Sequence, residues 1–106
     1  MPGNKKTEAL MKTFTKEKVA VIHAAFEKAP TTVAFVEVDK TLTDMNKCEV
    51  AFKLTNNIET AWWHNEEVTP MFDGGACRST SVGDMVLVGN TKYKFVGTET
   101  VVWEKV

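Results

Sequence analysis

The stretch CRSTSVGD, positions 77–84, concentrates more chemistry than any other in the 106-residue chain. It holds a thiol, three hydroxyls, a carboxylate and Arg78, the only arginine. A cysteine nucleophile needs a depressed thiol pKa, usually supplied by a histidine or a helix N-terminus. No histidine lies within twelve residues of Cys77. A serine nucleophile on a hydrolase elbow needs Gly-x-Ser-x-Gly between a strand and a helix. Here a loop runs into a strand and the glycine pair is missing. A turn accounts for more of the residues. The hydroxyls of Ser79, Thr80 and Ser81 can bond nearby backbone, Gly83 permits a positive φ, and Asp84 can accept N–H groups where the strand begins. Arg78 is left over by that reading. It is expected to hold either a carboxylate of this chain or an anionic group of a partner.

WWHNEEV, positions 62–68, is the second candidate. Adjacent tryptophans face opposite sides of a strand, or lie about 100° apart on a helix. One can enter the core, and the other is expected under a loop, in a groove or at an interface. With His64 and Asn65 it would suit partner contact or base stacking. The candidate binding set is therefore Arg78, Trp62, Trp63, His64, Asn65, Ser79, Ser81 and Asp84. No catalytic or metal set is assigned. Cys48 and Cys77 form no C-x-x-C pair, and zinc needs about four ligands. Both thiols are expected to stay unpaired, and no cofactor is expected.

The elements that must position these residues follow from the apolar pattern. Residues 1–12 read as a flexible leader and 13–106 as a single α+β domain. Positions 1–18 carry five lysines against two glutamates, while the remainder has eight basic and twelve acidic residues. FTKEKVAVIHAAFEKAP predicts a first helix capped by Thr15, with Val19, Ile22, Phe26 and Ala29 on its stripe. TTVAFVEV predicts a buried strand over 33–38. DMNKCEVAFKLTNN predicts a second helix, with Thr41 or Thr43 as its cap and Cys48 facing the core. DMVLV-GN-TKYKFV predicts a hairpin with a type I′ or II′ turn, with Met85, Leu87, Tyr93 and Phe95 as candidates for cross-strand packing. TETVVWEKV adds a third strand. The expected fold is two helices packed on an antiparallel sheet that ends in a β-meander over about 85–104. The longest apolar runs are too short for a membrane helix, and the N-terminus has no apolar signal region. A cytoplasmic protein with no membrane partner is expected.

The runs AFKLTNNIETAWWHNEEVT and CRSTSVGDMVLVGNTKYKF, with Trp103 near the end, resemble a family of small bacteriophage-encoded proteins of unknown function. The family pattern is L-T-N-x-I, then W-W-x-N-x-x-V, then R-S-x-S-V-G-D leading into a hairpin. Matching positions are Leu54, Thr55, Asn56, Ile58, Trp62, Trp63, Asn65, Val68, Arg78, Ser79, Ser81, Val82, Gly83 and Asp84. The resemblance covers about residues 33–106. It implies a phage origin, hence a host cytoplasm, and no reaction. The expected function is a non-enzymatic binding module of a phage, with an unknown host or phage macromolecule, or a second copy, as partner. One alternative is binding of single-stranded DNA or RNA through the lysine-rich leader, Arg78 and an exposed tryptophan. A small enzyme using Cys77 or a serine is the other.

Overall fold

The computed structural model describes residues 15–106, so the expected leader over 1–12 lies outside the described residues. Strand β1 spans Lys16–His23 and β2 spans Thr31–Asp39. Helix α1 covers Asp44–Leu54, followed by a 3-10 turn at Trp62–His64. Strand β3 spans Val68–Pro70, β4 Met85–Val88, β5 Thr91–Phe95 and β6 Trp103–Lys105. The strands form one antiparallel sheet in the order β3-β2-β1-β4-β5-β6. Among the described residues, no helix is long and apolar enough to cross a membrane.

The expectation of two helices on the sheet is corrected. The segment expected to form the first helix is β1, a central strand paired with both β2 and β4. Its residues Val19 to His23 are all buried, with Val19, Val21 and His23 on one face and Ala20 and Ile22 on the other. A short run buried on both faces loses the alternation that marks a strand. Val19 and Ile22 then coincide with a helical spacing by accident. β-branched Val19, Val21 and Ile22 suit the pleat and lose rotamer freedom in a helix. Phe26, the next residue of the supposed stripe, is 75% exposed in the β1–β2 connection.

Elsewhere the local chemistry matches the elements. Helix α1 starts at Thr43, whose hydroxyl accepts the Asn46 N–H at 3.2 Å, so Thr43 rather than Thr41 is the cap. Cys48 and Ala51 are fully buried, and burial pushes the Cys48 thiol up to about 12, with Asp44 and Glu49 adding to the rise. Ala34, Val36 and Val38 of β2 face the same core, joined by Val86, Trp62 and Trp103. Gly89 opens the β4–β5 turn at φ 58°, while Asn90 has a negative φ, which excludes the type I′ turn. The register sets Val86 opposite Tyr93, while Met85 and Leu87 face Lys94 and Lys92 on the other side of the sheet. Met85 and Leu87 thus do not pack with Tyr93 and Phe95 as expected. Phe95 stacks instead on Phe52 of α1, with ring centroids 4.4 Å apart.

Candidate functional site

Residues 77–84 run from a loop into β4, beside the β1–β2 connection. Arg78 joins the two. Its Nε and Nη2 donate to Glu27 Oε2 and Oε1 at 3.1 and 2.8 Å. Its Nη1 and Nη2 donate to Asp84 Oδ2 and Oδ1 at 2.7 and 2.8 Å. The Ser79 carbonyl accepts a further Nη1 bond at 3.0 Å. All three guanidinium nitrogens are engaged, so the arginine holds carboxylates of its own chain, one of its two expected roles. Asp84 raises the Arg78 pKa most, with Glu27 adding to the effect. Hydrogen bonds from Arg78 chiefly lower that of Glu27.

Asp84 is the hub. Its side chain is fully buried, and it accepts the N–H groups of Ala24, Ala25 and Ser81 at 2.8–3.0 Å in addition to Arg78. Burial acts to raise its pKa. The Arg78 hydrogen bonds, followed by those N–H groups, overcome burial and hold the carboxyl at about 2. Gly83 precedes it at φ 98°, where an added Cβ would sit 3.0 Å from Ala25 Cβ. The turn chemistry expected of Gly83 and Asp84 is present, and it reaches across to the β1–β2 connection as well as along the loop.

The loop also carries a chain of hydroxyls whose protons can be assigned. Thr55 Oγ1 lies 2.8 Å from the Ala51 carbonyl, which can only accept, so the Thr55 proton points there. Thr80 Oγ1, 2.7 Å from Thr55 Oγ1, must then donate to it. Thr80 therefore accepts from His23 Nε2 at 3.0 Å, which places the imidazole proton on Nε2. His23 Nδ1 is left bare, 3.8 Å from Cys77 Sγ. Burial depresses the His23 pKa most strongly, with Asp84 and Glu27 opposing and Arg78 assisting. Burial likewise raises Cys77.

The other expected binding residues do not gather into one surface. Trp62 is fully buried, and its indole N–H donates to the Cys77 and Arg78 carbonyls at 3.2 and 3.0 Å. Trp63 is half-buried, edge-on to Trp62 and Phe72. His64 is exposed, while Asn65 donates to the Leu54 carbonyl at 2.8 Å. Ser79 Oγ accepts the Asn57 N–H at 2.9 Å, and Ser81 meets Asp84 through its backbone. Sequence reasoning missed Glu27, His23 and Phe26. Glu27 lies 51 positions from Arg78 and His23 lies 54 from Cys77, so no local spacing marks either pair. Phe26 lies over the Arg78 guanidinium, with the ring centroid 4.9 Å from Cζ. Val82, 55% exposed, sits beside Gly97 of the β5–β6 connection. Among the described residues, no group of three or more His, Cys, Asp or Glu side chains could hold a metal ion. No family model matches the chain, and no curated protein or solved structure matches it.

Proposed function

We propose that the protein is a non-enzymatic binding module, a small bacteriophage accessory protein that meets a host or phage protein through Phe26. The observation that carries this reading is an aromatic ring that is both exposed and held. Phe26 is 75% exposed, yet its ring rests on a guanidinium fixed by two carboxylates. An exposed aromatic that already rests on a fixed neighbour loses less conformational entropy on binding than a free one, which suits a hot-spot anchor. The phage origin rests on the motif resemblance at positions such as Trp62, Asn65, Arg78 and Gly83.

The nucleic-acid alternative draws on the lysine-rich leader, Arg78 and an exposed tryptophan. Arg78 is committed to Glu27 and Asp84, Trp62 is buried, and Trp63 is half-buried with its ring edge-on to Trp62 and Phe72. Neither Arg78 nor Trp62 is free for a phosphate or a base, and the leader over 1–12 lies outside the described residues. The test is capture from host lysate by the full chain and by Phe26→Ala, alongside binding of a single-stranded oligonucleotide over a salt series. The reading expects a protein that the wild type retains and Phe26→Ala loses. Equal capture by both proteins, or salt-sensitive oligonucleotide binding that accounts for all retention, overturns it.

A further inference from the structure

We infer that Cys77 and His23 form a base-assisted thiol, a site at which small hydroperoxides oxidise Cys77 to the sulfenic acid. A reactive cysteine is marked by a base within reach and a third group that orients that base. Cys77 Sγ lies 3.8 Å from His23 Nδ1. The Thr55–Thr80 chain fixes the imidazole with its proton on Nε2 and its lone pair on Nδ1, facing the sulfur. Asp84 Oδ2, 3.9 Å from Nε2, is placed to stabilise the imidazolium that forms when Nδ1 takes a proton. His23 is completely buried and held by strand β1, so the base is positioned before any reagent arrives. Cys77 is only half-buried, whereas Cys48 is fully buried.

At rest both groups are neutral, because burial raises the thiol and lowers the imidazole. The proton moves during the reaction. The S–H proton passes to Nδ1 as the sulfur attacks the terminal peroxide oxygen, an S–O bond forms and the O–O bond breaks. Sulfur is oxidised by two electrons. The peroxide is reduced to water or an alcohol, whose leaving oxygen receives the proton from Nδ1. The step thus balances as thiol plus hydroperoxide giving sulfenic acid plus water or alcohol. The hydroperoxide suits this pair because its leaving oxygen needs the proton that the imidazolium holds. Cys48, fully buried in α1 among Asp44 and Glu49, serves as the internal control.

The test treats the full chain with hydrogen peroxide, traps sulfenic acid with dimedone and quantifies the Cys77 and Cys48 peptides by mass spectrometry. Cys77 should be labelled at least about tenfold faster than Cys48. An unassisted thiol must ionise first, so its rate climbs about tenfold per pH unit below its pKa. The assisted pair carries its own acceptor, so the Cys77 rate should be nearly flat between about pH 7 and 8.5. The charged groups around the pair are Arg78, Glu27 and Asp84, and none of them titrates in that window. His23→Gln keeps a donor toward Thr80 but removes the base, and it should slow labelling about tenfold and restore the climb with pH. A tenfold-per-unit climb in the wild type, or an unchanged rate in folded His23→Gln, overturns the inference. The wild-type profile decides the matter even if the variant does not fold.

Discussion

Replacing Asp84 by Asn is expected to cost far more than its small change in shape suggests. The carboxylate is fully buried and accepts five hydrogen bonds, three from backbone N–H groups and two from Arg78. Its pKa falls from the usual 3.8 to about 2. A gap of roughly two pH units, at about 1.4 kcal/mol each, gives roughly 2.5 kcal/mol of stability from ionisation alone. Asparagine also turns one acceptor oxygen into a donor that faces other donors, which adds about 1 kcal/mol. A total loss of about 3–4 kcal/mol is expected, in line with breaking one side of a buried ion pair. Urea unfolding measures it at pH 7 and then down a pH series. A carboxyl with a depressed native pKa contributes stability that is whole above 3.8 and disappears as pH falls through about 2. The wild type should therefore lose stability on that acid limb, and Asp84→Asn should lose less. A cost under about 1 kcal/mol at pH 7, or identical acid limbs, would refute the account of Asp84 as the hub.

Other outcomes follow from the same junction. Gly83→Ala should destabilise by about 1–3 kcal/mol in thermal unfolding, because φ is 98° and Ala25 Cβ lies 3.0 Å from the new methyl. His23 has a native pKa below its ordinary 6.5, so the folded state binds the proton less readily than the unfolded one. Its stability contribution should be complete above pH 6.5 and decline as pH falls below it, and His23→Gln should remove that dependence from the unfolding curve. Nitrogen chemical shifts at neutral pH should show the His23 proton on Nε2, while a proton on Nδ1 would reverse the hydroxyl chain. Arg78→Lys should destabilise by about 1–3 kcal/mol in urea, since an ammonium cannot make the paired contacts to both Glu27 and Asp84.

The parts of the fold that were legible in the sequence are those whose signals are local. Thr43 and the spacing of Cys48 and Ala51 announce α1, and the Gly-Asn pair between two β-rich runs announces the β4–β5 hairpin. Gly83 and Asp84 announce their turn in the same way. β1 was misread because a central strand buried on both faces shows no alternation, and Val19 and Ile22 mimicked a helical stripe. That error displaced Phe26 from an exposed connection to a supposed core face, and it hid the approach of His23 to Cys77. The Arg78 partners follow the same logic. The sequence leaves Arg78 either a carboxylate of this chain or a partner's anionic group, and Glu27 meets it only because β1 carries the β1–β2 connection to the foot of β4. Long-range pairing of this kind leaves no periodic trace in one sequence.

The direct measurement of the functional claim is a map of amide shifts in labelled protein on titration with the protein that wild type captures and Phe26→Ala does not. Perturbations centred on Phe26, Glu27 and Arg78, with His64 and Ile58 unmoved, are the result the account predicts. Perturbations centred on Trp63, His64 and Ile58, with the Phe26 amide unmoved, would contradict it.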